Sequence, residues 1–164
     1  GGLVRHRGDG GFEAVFPRAV HFVQDRTWEA AIAPGPRSGS HHPDRLEPLA
    51  GLVRLQRVRG ECEVVPGVRF RPVGGHCEDH AAVIIDSEGE TAVFLGDLVP
   101  TASHIPTPWI MAFDLFPAKT FDEKPTFLAE ACEGGWVQVL YHDPKHAFGT
   151  LRRDERGRLA FDPD

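Results

Sequence analysis

The chain has 164 residues, of which 41% are hydrophobic and 26% charged, a composition that excludes wholesale disorder and leaves room for one domain rather than two independent ones. Its 18 Lys and Arg against 24 Asp and Glu give a formal charge of -6, which argues against a general attraction to nucleic acid or anionic lipid. No apolar run approaches the ~18 residues a membrane span needs, and three irregularly spaced cysteines, Cys62, Cys77 and Cys132, imply no disulfide framework and fit a reducing, cytoplasmic setting.

Residues 1–15, rich in Gly and charge, read as an irregular leading loop. Ala19 to Val23 is a short apolar strand, and Asp25 is placed to cap a helix through Thr27, Trp28 and Ala31. Pro34-Gly35-Pro36 ends that helix. Arg37 to Asp44, with the pair His41-His42, holds too many breakers for regular structure and reads as a surface loop or flap.

From residue 52 the apolar period becomes two, through 52–55, 62–65, 68–73, 82–85 and 91–95. Gly60-Glu61, Pro66-Gly67, Gly74-Gly75 and Ser87 to Glu90 separate these runs, so the expectation is short, mostly antiparallel strands joined by tight turns. Val83 to Ile85 and Val93 to Leu95 are continuously apolar, the pattern of strands covered on both faces. After Asp97 the chain is loop-like as far as Pro117. A helix then begins at Thr120 or Asp122, with Lys124-Pro125 in its first turn, and stops at Gly134-Gly135. Trp136 to Tyr141 is a strand, and a weaker hairpin spans Phe148 to Leu151 and Arg158 to Phe161.

Nine histidines are the compositional outlier. Three strands stop at a residue able to ligate metal: 68–73 runs through Gly74-Gly75 into His76, 91–95 through Gly96 into Asp97, and 136–141 into His142-Asp143. If the strands share a sheet, these ends converge at one edge, where a rigid scaffold holds a site. Neutral imidazole suits Zn or Fe, and one carboxylate can bridge two cations about 3.5 to 4 Å apart. Taken singly, each reads more readily as an ordinary loop histidine or turn aspartate; the metal reading rests on all three strand ends together.

Gly75-His76-Cys77-Glu78-Asp79-His80, then Val93-Phe94-Leu95-Gly96-Asp97, then Leu140-Tyr141-His142-Asp143 resemble, in order and spacing, the later metal motifs of the metallo-β-lactamase-fold hydrolases. Gly96 to His104 with Pro108-Trp109-Ile110-Met111 resembles the bacterial branch related to glyoxalase II and the lactonases. The likeness runs from about Phe16 to Asp143. It implies an α/β fold, part of a four-layer αβ/βα sandwich with antiparallel or mixed strands and a dinuclear metal site at one edge. By position, His76 and His142 resemble histidine ligands and Asp97 the bridging aspartate. His80 matches a histidine that supports the site from behind, and His104 and Tyr141 are expected close to the pocket without an assigned role.

The chain also departs from that pattern. The signature His-x-His-x-Asp-His, which supplies the remaining ligands, occurs nowhere in the 164 residues, and Cys77, Glu78 and Asp79 replace the usual Thr, Pro and Gly. Cys77 is a candidate soft donor or simply a small buried thiol. In relatives the signature is commonly followed by a small residue and Gly-Gly, and Gly1-Gly2 open this sequence. The expectation is therefore a single domain over 1–164 that is incomplete, about a hundred residues short of a sandwich of this kind.

For the intact protein the resemblance implies hydrolysis of an ester, thioester or lactone by metal-activated water, with two divalent ions, zinc first and iron or manganese compatible with the same ligands. For this chain alone the expectation is at most one weakly bound metal, little hydrolysis and no assigned catalytic residue. The expected partners are a small-molecule substrate and either a second copy of the chain or a complementing amino-terminal segment, with neither nucleic acid nor membrane. The competing expectation is a non-catalytic module in assembly or ligand binding. A phosphodiesterase relative fits worst, because a basic, aromatic-interleaved groove is lacking.

Overall fold

The computed structural model describes residues 3–33 and 43–163; the expected flap at 37–44 lies outside them except for its last two residues, and so do Gly1-Gly2 and Pro34-Gly35-Pro36. The chain falls into two compact units, Gly1–Arg59 and Gly60–Asp164.

The first unit begins with a hairpin where an irregular loop was expected. Strands β1 (Val4–His6) and β2 (Phe12–Ala14) pair antiparallel from Val4↔Ala14 to His6↔Phe12. The turn closes on itself, with the Gly11 N–H donating to Asp9 Oδ1 at 3.0 Å and the Arg7 N–H to the Gly11 carbonyl at 2.8 Å. β3 (Val20–Gln24) pairs in parallel with β4 (Arg54–Val58), and the crossover carries α1 (Asp25–Ile32) and α2 (Pro43–Leu52). The sequence pattern hides α2, because Pro48 and Gly51 lie inside it and its last residue, Leu52, reads as the start of the next strand. Asp25 is the first helical residue rather than the cap, which is Gln24, with no side-chain cap bond. Its buried carboxylate receives the guanidinium groups of Arg57 and Arg59, the latter with Nη2 2.6 Å from Oδ2. The hydrogen bond from Arg59, with Arg57 beside it, holds this carboxyl below the usual range.

The second unit is a seven-stranded sheet in the order β11-β10-β9-β8-β7-β6-β5. Its strands are β5 (Cys62–Val65), β6 (Val68–Pro72), β7 (Ala81–Ser87), β8 (Glu90–Phe94), β9 (Val137–Val139), β10 (Phe148–Arg153) and β11 (Leu159–Pro163). Every neighbouring pair is antiparallel except β8 and β9, which run parallel. A parallel pair needs a long crossover, and this one contains two 3-10 turns, Gly96–Leu98 and Ala102–His104, and helix α3 (Pro117–Glu133). The sequence-based start at Thr120 or Asp122 is one turn late, since Pro117 occupies the first helical position. Pro125 lies inside the helix, where it offers no N–H to the preceding turn.

Helix α3 buries Thr120, Lys124, Phe127, Leu128 and Ala131, a stripe at the i, i+4, i+7, i+8, i+11 spacing of one helical face. Its apolar end joins the core cluster with Ile84, Val93, Leu95 and Leu140. The sheet alternates more than its apolar runs suggest: Ala82, Ile84, Val93 and Leu95 are fully buried, while Val83 and Phe94 are half-buried and Ile85 is 42% exposed. Full cover on both faces therefore does not hold for these strands. One face takes the core, and the intervening side chains point the other way.

Candidate metal centre

Strand direction explains why residues 21 and 45 positions apart meet. β6 and β8 both pair antiparallel with β7, and β8 is parallel to β9. So β6, β8 and β9 run the same way and their carboxyl ends share one edge, the edge at which His76, Asp97 and His142 follow. There the Asp97 carboxylate lies between two imidazoles, with His76 Nε2 3.2 Å from Oδ2 and His142 Nε2 3.5 Å from Oδ1. The Tyr141 hydroxyl donates to Asp97 Oδ1 at 2.8 Å, and its ring lies 3.8 Å from that of His142. Burial and the neighbouring carboxylate push the Tyr141 phenol up to about 12, so it remains a donor.

The backbone at this edge needs its glycines. Gly96 has φ +55, and a Cβ there would sit 2.7 Å from His80 Nε2; a Cβ on Gly75 would come within 2.1 Å of the Phe116 carbonyl oxygen. Leu115 N–H donates to the His76 carbonyl at 3.2 Å and Phe116 N–H to that of Gly75 at 2.8 Å, so the His76 loop is stitched to the segment entering α3.

His80 supports the site through the main chain. Its Nε2 accepts from the Asp97 N–H at 3.1 Å and its Nδ1 lies 3.1 Å from the Val73 carbonyl, which places the proton on Nδ1. Burial keeps its pKa below the usual histidine value. Cys77 is half-buried, and desolvation followed by the charge of Asp97 raises its thiol to about 11, which disfavours the thiolate a soft donor needs. His104 bonds instead to the Thr101 hydroxyl, 2.8 Å from its Nδ1, and no contact joins its ring to the Asp97 group.

Four further residues, to which the sequence pattern assigns no role, support this region. Asp114, its side chain 1% exposed, has Oδ1 3.0 Å from His76 Nδ1 and accepts from the Thr120 hydroxyl at 2.6 Å through Oδ2. Thr120 Oγ1 in turn accepts from the Gly75 N–H at 2.9 Å. Lys124, fully buried, gives its three ammonium protons to the carbonyls of His104, Pro106 and Trp109 at 3.0, 3.1 and 2.8 Å. Burial pulls its pKa down to about 8. Asp143 accepts from the N–H groups of Ala102, Lys145 and His146, each at 2.9 Å, and so fixes the turn that follows His142.

The donor set has the right chemistry for a divalent cation, two imidazole nitrogens facing the two oxygens of one carboxylate. Yet among the described residues no group of three or more His, Cys, Asp or Glu side chains is arranged to hold a metal ion. The described chain thus offers the donors of part of a site, with two imidazole nitrogens within 3.5 Å of one carboxylate. Among the described residues no helix is long and apolar enough to cross a membrane.

The fold has relatives among solved structures. A probable metal-dependent hydrolase from Staphylococcus aureus is 28% identical, with a TM-score of 0.83 over 99% of this chain and 57% of that one. AidC, a dizinc quorum-quenching lactonase solved with a product, is 18% identical with a TM-score of 0.72, covering 93% of this chain and 57% of its own. AbOPH, a hydrolase of the β-lactamase superfamily, is 19% identical with a TM-score of 0.71 over 92% of this chain and 57% of its own. The chain therefore spans under three-fifths of the length of these relatives. No curated protein matches it. The sequence pattern of the Metallo-beta-lactamase superfamily matches residues 13–152, most of the chain. The chain belongs to the metallo-β-lactamase superfamily.

Proposed function

We propose that the protein is a metal-dependent hydrolase of an ester, thioester or lactone, and that His76, Asp97 and His142 hold one side of its metal centre. The observation that carries this reading is the placement of one imidazole at each oxygen of the Asp97 carboxylate, 3.2 and 3.5 Å away. A carboxylate so flanked is suited to span two ions. Zinc fits the donors first, with iron or manganese compatible. When bound, such ions supply Lewis acidity and bring the pKa of water towards neutrality.

The residues of this chain orient that chemistry. Tyr141 holds Asp97 Oδ1 by a hydrogen bond, His80 fixes the main chain at Asp97, and Asp143 ties the turn after His142 to Ala102. Trp109 and Phe113, 65% and 76% exposed on the segment between the second 3-10 turn and α3, are available to an apolar part of the substrate.

The dizinc lactonase and the probable metal-dependent hydrolase among the structural relatives support this class of reaction. The 164-residue chain alone is expected to take up at most one metal ion, weakly, and to hydrolyse little, because no three-donor group is assembled among its described residues. For the whole protein loaded with zinc, the test is turnover of a panel of γ-lactones, thioesters and carboxylic esters. Hydrolysis of at least one class, lost in Asp97→Ala, is expected; turnover that survives Asp97→Ala would overturn the assignment.

A further inference from the structure

We infer that Asp114, held by Thr120, is the positioning residue that presents His76 as a metal donor. The inference rests on the reading of His76 as a ligand through Nε2.

A histidine ligand must offer a bare ring nitrogen, and a hydrogen bond at the other nitrogen decides which one is bare. His76 Nδ1 lies 3.0 Å from Asp114 Oδ1, while Nε2 faces Asp97 Oδ2. A carboxylate accepts only, so this bond keeps the proton on Nδ1 and turns the Nε2 lone pair towards the Asp97 group. The Asp114 side chain is 1% exposed and its second oxygen is taken by the Thr120 hydroxyl at 2.6 Å. Thr120 sits on the buried stripe of α3 and its Oγ1 also accepts from the Gly75 N–H, next to His76 itself. One turn of α3 therefore fixes both the loop that carries the histidine and the carboxylate that aims its ring. Glu123 adds a further tie, accepting from the Gly74 N–H at 2.8 Å.

The separation of 38 residues between His76 and Asp114 excludes a merely local turn contact. A carboxylate buried to this degree is costly unless its bonds are made, and here they are made to the His76 ring and to Thr120, which itself holds the His76 loop through the Gly75 N–H.

The test uses the 164-residue chain with zinc alone as the probe, and ring-nitrogen NMR of the metal-free chain as a second readout. In the parent chain the His76 Nδ1 proton is expected to be slowly exchanging. Asp114→Asn, which keeps the shape and can still accept from Nδ1, is expected to weaken zinc binding by about tenfold, and Asp114→Ala by up to about a hundredfold with loss of the protected Nδ1 proton. If Asp114→Ala does not fold, Asp114→Asn decides. Zinc affinity and the Nδ1 proton unchanged in the Asp114 variants, with binding abolished in His76→Ala, would overturn the positioning role while leaving the ligand intact. Zinc binding unchanged in His76→Ala would overturn the ligand reading itself, and the positioning role with it.

Discussion

The two compact units are held together by different means. Within Gly60–Asp164 fourteen hydrophobic residues are buried in one cluster between α3 and the seven-stranded sheet. Among the described residues of the first unit, Trp28 and Leu49 are the buried hydrophobics, and the β3–β4 pair is tied to α1 through Arg57 and Arg59 on Asp25 and through Arg57 on Glu29. Apolar burial stabilises by roughly 1.5 to 3 kcal/mol per large side chain, whereas ion pairs made by arginines that face solvent add much less. Every candidate ligand lies in the unit with the larger core, so the stiffness a metal site requires comes from sheet packing rather than from surface charge.

Truncation of the core is the strongest way to break that contrast. Leu95→Ala and Leu128→Ala remove side chains that are 0% and 1% exposed, and each is expected to lower the stability of the second unit by about 3 kcal/mol in denaturant unfolding. Leu49→Ala, in the smaller core, is expected to cost about 2 kcal/mol. Its effect should appear as faster amide exchange at 20–24 and 54–58, with 82–85 and 91–94 unchanged. Equal exchange in both sets of strands would mean that the units do not open separately.

Gly75→Ala acts on the site alone. The added methyl meets the Phe116 carbonyl at 2.1 Å, so the His76 loop must move, at a cost of about 2 kcal/mol. The amides of Leu115 and Phe116, which now donate to His76 and Gly75, are expected to exchange faster. Wild-type protection at both would show that this close approach does not hold the loop.

The smallest effect comes from acid, and it separates the units by pH window. Burial lowers the pKa of His80 in the folded chain, so the unfolded chain takes up its proton first, near pH 6.5. The stability this neutral ring contributes is therefore complete above about pH 6.5 and declines as the pH falls below it. The Asp25 carboxyl is held low by Arg59 and Arg57; its contribution persists down to about pH 4 and is lost below, as the folded carboxyl protonates. Amide exchange at Asp97 is expected to rise in the first window and exchange in β3 and β4 only in the second. A single window for both would remove this distinction.

The convergence of His76, Asp97 and His142 is legible in the chain because each follows an apolar run at once or after one or two glycines, although the strands themselves stop earlier, at Pro72, Phe94 and Val139, and strand direction does the rest. Asp114 and Lys124 are not legible. Their partners are His76, 38 residues back, and the carbonyls of His104, Pro106 and Trp109, and in sequence both look like solvent-facing charges. The stripe on α3 carries the one available sign, since Thr120 and Lys124 fall in phase with Phe127, Leu128 and Ala131 and a polar residue on a buried face must find partners. The β1–β2 hairpin is hidden for a different reason: its strands are three residues long, too short for a period to stand out, and none of their residues is buried.

The most direct test of the metal centre is a zinc titration of the 164-residue chain followed by ring-nitrogen NMR of its histidines. The expected result is uptake of at most one zinc ion, with the Nε2 signals of His76 and His142 shifting together and both responses abolished in Asp97→Asn. Zinc uptake that leaves those two rings unperturbed, or that is unchanged in Asp97→Asn, would contradict it.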